Sequence, residues 1–246
     1  MSAFRLKQFT IEDAQCGMPV STDGILLGAW SQLPKQGKIA DIGTGSGLLA
    51  LMAAQRSTHS EITAIEIEAN AAAAAHNNFL RSPWADRLTL IHTDVRDWLS
   101  PKNRHSIDAI ICNPPYFTSG ETSQCNARAL ARHTQHFDHH ALLTVIQQLL
   151  NVAGYASLIL PEQEGRQLIN AAQALGLHCS RLCEVNTTAR KPISRLLIEL
   201  TPTPQHCDQQ QLTIHANNGY SEAFIALTWP FYLKMSSPKR QNNQEQ

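Results

Sequence analysis

The chain has no excess of charge of either sign. Its 20 lysines and arginines balance 20 aspartates and glutamates, the formal net charge is zero and the sequence pI is about 7.2. This counts against a nucleic-acid partner held by bulk charge, which usually shows as a basic excess or patch. Eleven histidines add positive charge only at mildly acidic pH. No apolar stretch approaches the ~18 residues that a membrane-spanning helix needs, so a helical membrane protein is excluded. Six cysteines, at 16, 112, 125, 179, 183 and 207, form no CxxC pair, and several sit in apolar runs. With no signal peptide visible at Met1-Ser2-Ala3-Phe4-Arg5, they are expected to be reduced thiols of a cytoplasmic protein. Internal repeats are absent as well.

What is present suffices for a sizeable core: 246 residues, 43% hydrophobic and 16% charged. From Lys38 onward apolar runs and amphipathic segments alternate, the pattern of a mostly parallel sheet covered by helices. Strands are expected at about 38–42, 62–67, 88–92, 107–112 and 155–160. Helices are expected at about 46–56, 69–80, 138–151 and 162–175, with a short turn near 95–99. After Leu177 two strands, about 178–185 and 194–200, flank the hairpin loop Asn186 to Pro192. Leu212 to Ile214 suggests a strand remnant, and Tyr220 to Lys234 a closing helix or strand. The expected organisation is one domain over 1–235, opened by a segment 1–36, and a disordered polar tail over 236–246.

Four motifs carry chemistry. Asp41-Ile42-Gly43-Thr44-Gly45-Ser46-Gly47 joins the first strand to the first helix of the alternation. Its glycines permit a tight turn and close approach of a ligand to backbone N–H groups at a helix start. The spacing is not G-x-G-x-x-G, and no Gly-Lys-Ser/Thr follows, so neither a dinucleotide loop nor a P-loop is the first choice. Asp41 ahead of the glycines would repel a pyrophosphate and welcome an amino-acid-like cation, which favours S-adenosyl-L-methionine. Glu66 ends the second strand, where a carboxylate can accept both ribose hydroxyls of a nucleoside. Glu68 shares its face by period-two alternation and is read instead as a helix N-terminal charge. Asp94, after the third strand, either accepts from the exocyclic amine of the cofactor's adenine or caps the turn Val95 to Leu99.

The fourth motif is Asn113-Pro114-Pro115-Tyr116, directly after the buried run Ile107 to Cys112. Two prolines must leave the sheet in a rigid extended turn. That turn would fix two acceptors, the Asn113 side-chain oxygen and the Pro114 carbonyl, beside the face of Tyr116. A planar group bearing an NH2 fits such a clamp. All four motifs fall at strand ends on one edge, the carboxyl edge where open α/β sheets bind ligands. The histidine-rich stretch His133 to His140 shows no second ligand group at metal spacing. It is expected to form a mobile loop over the site, with Arg128 and Arg132 available for phosphates and Asp138 capping a helix that starts at His139.

With these residues together, the chain resembles the class I S-adenosylmethionine-dependent methyltransferases. The resemblance implies a Rossmann-like α/β fold: a seven-stranded, mostly parallel sheet with a reversed last strand and helices on both faces. It further implies that Asn113 to Tyr116 serve methylation of an sp² amino group: adenine N6, guanine N2 or a glutamine amide. Lys7-Gln8-Phe9, Cys16-Gly17-Met18, Thr22-Asp23-Gly24 through Trp30, Ser82-Pro83-Trp84 and Tyr220-Ser221-Glu222-Ala223 sharpen it. They resemble the bacterial family that methylates adenine N6 beside the anticodon of a valine tRNA. This likeness implies a tRNA partner, no obligate protein partner, and closure of the segment around Ser21 to Gly24 over the cofactor, with Thr22 and Asp23 as contacts. Three rivals are open: a guanine-N2 rRNA methyltransferase, a protein glutamine methyltransferase, and a non-catalytic nucleotide-binding module that would not need Asn113 to Tyr116.

Overall fold

The structure is a computed structural model that describes residues 3–12, 19–115, 138–217 and 219–238. Its first strands, β1 (Ala3–Arg5) and β2 (Thr10–Glu12), form a small antiparallel hairpin. The main sheet is built from β3 (Lys38–Ile42), β4 (Glu61–Glu66), β5 (Leu88–His92), β6 (Ile107–Cys112), β7 (Leu150–Pro161), β8 (His178–Thr188), β9 (Ile193–Thr201), β10 (Asp208–Ala216) and β11 (Gly219–Tyr220). Its spatial order is β11-β10-β8-β9-β7-β6-β3-β4-β5. The five strands β5-β4-β3-β6-β7 are parallel, and β9 inserts antiparallel between β7 and β8. These seven strands match the expected architecture, reversed strand included. Beyond them the sheet continues, since β10 pairs parallel with β8 and β11 antiparallel with β10.

The helices are α1 (Thr22–Trp30), α2 (Leu48–Arg56), α3 (Ala69–Leu80), α4 (Val95–Trp98), α5 (His139–Leu149), α6 (Glu162–Ala174) and α7 (Glu222–Thr228). They divide between the two faces because the strand residues do. On β3, Ile39 joins one apolar cluster with α1, α2 and Phe224 of α7. Ala40 and Ile42 join a second, with Leu142 and Val145 from α5 and Leu168 from α6. Near-continuous apolar runs such as Ile107 to Cys112 are what a parallel strand covered on both faces requires. Asp138 caps α5 by accepting from the Ala141 N–H at 2.9 Å, the role its position suggests.

Among the boundaries that differ from expectation, three have a visible reason. Strand β7 starts at Leu150 rather than near 155, with a register irregularity against β6 between Ile107 and Ala109. Helix α2 starts at Leu48 because Gly47 stands at φ +88°, outside helical space. The remnant expected at Leu212 to Ile214 is a nine-residue strand. Its first half, Asp208-Gln209-Gln210-Gln211, has no apolar alternation to advertise it, and it forms because β8 offers an open parallel edge.

The chain ends are tied together. Leu6 bridges Tyr232, and the Lys7 N–H donates to the Phe231 carbonyl at 2.9 Å. The Lys7 ammonium donates to the carbonyls of Trp229 and Met235 and lies 4.8 Å from the Trp229 ring centre. Buried Asn78 on α3 joins β2 to the glycine turn. It accepts from the Glu12 N–H at 3.1 Å and donates to the carbonyls of Glu12 and Ser46 at 3.1 and 2.9 Å.

Candidate active site

Register places the candidate residues. Ile42 of β3 lies opposite Ile65 of β4 and Cys112 of β6, so Gly43, Glu66 and Asn113 leave three adjacent strands at one level of the carboxyl edge. Neighbouring strands stand about 4.8 Å apart, so Glu66 and Asn113 flank the glycine turn across about 10 Å. Asn113 and Pro115 are half-buried and Pro114 is buried. Tyr116, Arg128, Arg132 and His133 to Phe137 lie outside the described residues.

The turn itself is held from both sides. The N–H groups of Gly43 and Thr44 donate to the Ile65 carbonyl at 2.9 and 3.1 Å. Gly43 and Gly45 adopt φ of +70° and +58°, and a methyl group at either would meet nothing within 4 Å. Positive φ selects glycine there, and the open space beside it leaves room for a ligand against the backbone. Gly47 is different: a Cβ would stand 2.5 Å from the Phe79 ring, so it is glycine for packing as well as for conformation. Helix α2 then begins with no side-chain cap and no acidic residue in its first turn. Helices α1, α3, α4, α5 and α7 are each capped by a side chain. A helix start without a side-chain cap, beside the open space over Gly43 and Gly45, suits a carboxylate ligand through its N–H groups and positive dipole end.

Asp41 supports this turn from below. It is fully buried, and one carboxylate oxygen accepts from the Thr44 hydroxyl at 2.5 Å and the Ala50 N–H at 2.9 Å. Its other oxygen, Oδ1, has no hydrogen-bond partner among the described residues. Burial pushes the carboxyl up to about 7, against the lowering effect of Thr44 and Ala50. Asp41 is thus a brace of the loop rather than a side chain that reaches a ligand's cation, because no part of it is exposed.

Glu66, expected to meet the ribose hydroxyls, stands at the end of β4 with its carboxylate held by the backbone. Its Oε2 accepts from the Gly45 N–H at 2.8 Å, and its Oε1 from the N–H groups of Ile67 and Glu68 at 2.9 Å each. Three backbone donors lock the carboxylate at the strand end. Glu68 caps α3 by accepting from the Ala71 N–H at 2.7 Å, as its position suggests. Sequence reasoning did not single out Ile67, an exposed apolar residue (44%) directly after Glu66. An apolar residue directly after a strand-end acid was the available signal.

Three further expected cofactor contacts, Asp94, Asp23 and Thr22, are engaged by other side chains. Asp94 caps α4 through the Arg96 N–H at 2.8 Å and holds the Arg96 guanidinium with both oxygens, at 2.5 to 3.1 Å. That pairing keeps its carboxyl below the ordinary range and takes up the acceptors an adenine amine would need. Asp23 pairs with Arg195 Nε of β9 at 2.7 Å, and Thr22 bonds the Tyr232 hydroxyl. Gly24 packs against Leu48, so the start of α1 does border the glycine turn, but its polar side chains face the β9–β10 side.

Cys112 is buried, and burial raises its thiol far above the ordinary value, so it packs rather than attacks. The four described cysteines, Cys112, Cys179, Cys183 and Cys207, are unbridged thiols. Among the described residues no helix is long and apolar enough to cross a membrane.

Comparison with known proteins gives a consistent picture. Residues 23–159 match the methyltransferase small domain family. The chain is 54% identical over 236 residues to the tRNA1(Val) (adenine(37)-N6)-methyltransferase of Photobacterium profundum, covering 94% of this chain and 98% of that one. It is 52% identical to the protein of the same name from Vibrio campbellii, over 94% and 96% of the two chains. Among solved structures, a predicted O-methyltransferase from Agrobacterium tumefaciens superposes with a TM-score of 0.65 at 18% identity, over 85% and 96% of the chains. The glycopeptide N-methyltransferase MtfA, solved with S-adenosyl-L-methionine, superposes at 0.54 with 13% identity, over 75% and 100%. At those identities the structures speak for the fold alone.

Proposed function

The chain belongs to the methyltransferase small domain family, and from that membership we propose that it transfers a methyl group from S-adenosyl-L-methionine to N6 of adenine 37 in tRNA1(Val). The observation that carries the reading is the exit of Asn113-Pro114-Pro115 from β6 at the level of the glycine turn and Glu66. A nucleic-acid substrate whose reactive amine enters there meets the acceptors beside the place where the methyl donor would lie.

S-adenosyl-L-methionine supplies, when bound, an electrophilic sulfonium methyl group. The residues fit that cofactor. The turn at Gly43 and Gly45 is open above its backbone, the α2 start is uncapped, and Glu66 holds a fixed carboxylate for the ribose hydroxyls. Asn113 and the Pro114 carbonyl act on the adenine. Its N6 lone pair is delocalised into the ring, so the nitrogen must pyramidalise before it can attack. Two acceptors for its protons bind more strongly as that happens, which favours the transition state over the ground state. Rigidity from the two prolines keeps those acceptors from following the ground-state geometry instead. Tyr116 stacks on the base, which leaves its own stack at least cost from a loop. No strong general base is required, because the methylated ammonium is acidic and gives its proton to solvent. A tRNA substrate implies a cytoplasmic enzyme, and the reaction calls for no obligate protein partner.

The test is tritiated methyl transfer to fractionated tRNA, rRNA and release factor, followed by nucleoside analysis. N6-methyladenine in tRNA is the expected product. Label in rRNA guanine or in protein would move the reading to one of the other amine substrates.

A further inference from the structure

Further along the carboxyl edge, a cavity of about 270 Å³ opens between the start of α1, the β8–β9 turn and the β10–β11 hairpin. It borders the methyl-transfer site without belonging to it. Arg195, on its wall, lies opposite Pro161 of β7, and β7 lies beside β6, so the cavity starts two strands from Asn113. At about 4.8 Å per strand that is about 10 Å to the near wall, and His215 on the far wall, on β10, is four strands away, about 19 Å, the span of roughly six stacked bases at about 3.4 Å each.

One wall is a ladder of rings rising from the core to solvent. Phe224 is fully buried, Tyr220 stacks on it with centroids 4.7 Å apart, and His215 stacks on Tyr220 at 5.0 Å. The interplanar angles are 21° and 20°, so the rings share one orientation. The β10–β11 pairing of His215 with Tyr220 holds that alignment, and the ladder ends in exposed rings with no described ring beyond His215. The opposite wall is polar and neutral. Arg195 is balanced by Asp23 at 2.7 Å, and the Ser194 hydroxyl donates to the Val185 carbonyl at 3.1 Å. Such a wall presents donors and acceptors together. It favours the edge of an uncharged heteroaromatic ring and disfavours a phosphate, which Asp23 would repel. The volume lies just below the roughly 300–1,000 Å³ of sites for drug-sized ligands, so it suits one planar group.

We propose that this cavity receives an unstacked nucleobase of the tRNA, within about six nucleotides of the methylated adenine, stacked on the His215–Tyr220 ladder with its edge toward Arg195, Asp23 and Thr187. The proposal rests on the tRNA-methyltransferase reading and names the part of the substrate that a neutral protein can grip without bulk charge. Stacking on aromatic side chains is tolerant of base identity and needs no net protein charge, which fits a chain of zero formal charge.

The test compares wild type, His215→Ala and His215→Phe on tRNA1(Val) transcript and on transcripts with one abasic site within about six nucleotides of adenine 37. His215→Ala should raise KM for intact transcript about 5- to 150-fold while kcat and KM for S-adenosyl-L-methionine stay within about twofold. His215→Phe should restore KM, and one abasic position should abolish the difference between Ala and wild type. An unchanged KM in His215→Ala, failure of Phe to restore it, or a difference that persists on every abasic transcript would overturn the proposal. Wild-type methylation of the intact transcript is the separate readout for the functional reading: its absence sinks that reading, whereas its presence with an unchanged His215→Ala sinks the cavity alone.

Discussion

Replacing Asp41 by asparagine should flatten the pH dependence of stability. The carboxyl is fully buried, and burial carries it from an ordinary 3.8 to about 7. A folded-state value above the unfolded one means that the fold prefers the neutral form. Stability from this group is therefore complete below pH 4 and is lost as pH rises through 7. At about 1.4 kcal/mol per tenfold, the whole loss is about 4 kcal/mol, of which about 2 to 3 kcal/mol falls between pH 5 and pH 8. Asparagine keeps an acceptor for the Thr44 hydroxyl and the Ala50 N–H but does not titrate, and its amide adds a constant cost of about 1–3 kcal/mol where Oδ1 is unpartnered. Urea unfolding of both proteins at pH 5, 6, 7 and 8 isolates the group, because the other titrations cancel in the difference. Wild type should lose about 2 to 3 kcal/mol relative to Asp41→Asn over that range. A difference that stays constant, or moves in favour of wild type as pH rises, would refute the description of Asp41 as a buried, neutral-preferring brace.

Glu66→Gln should weaken S-adenosyl-L-methionine binding about 10- to 150-fold, the value of charged hydrogen bonds to a diol, as measured by calorimetry; unchanged affinity would remove the carboxylate from the site. Gly45→Ala places a methyl in the open space over the turn at φ +58°, so cofactor affinity should fall more than the roughly 1–2 kcal/mol of backbone strain lowers stability in urea. Asn78→Ala strips partners from the Glu12 backbone and the Ser46 carbonyl and should cost about 1–3 kcal/mol in urea unfolding, with β2 and the glycine turn losing hydrogen-exchange protection together.

The parallel half of the sheet was legible because both of its faces are covered: runs such as Ile107 to Cys112 are apolar throughout and bounded by turn residues. The conformation of the glycine turn and the strand-end position of Glu66 were legible for a related reason, since both follow from residue type and local pattern. Side-chain commitments were not legible. Nothing local tells whether Asp94 faces an adenine or Arg96 two residues on, and the partner of Asp23 is 172 residues away. Strand β10 was half hidden because Gln209 to Gln211 carry no alternation and the strand is set by the open edge of β8. Ile67 escaped because exposure of an apolar residue is a property of the fold around it.

The account turns on Asn113 as an acceptor that strengthens when adenine N6 pyramidalises. Single-turnover methyl transfer by Asn113→Ala on tRNA1(Val), with dissociation constants for tRNA and S-adenosyl-L-methionine measured on the same protein, tests this most directly. The rate should fall about 100- to 1,000-fold while both dissociation constants stay near wild type. An Asn113→Ala protein that transfers methyl at the wild-type rate, with normal cofactor binding, would contradict the account.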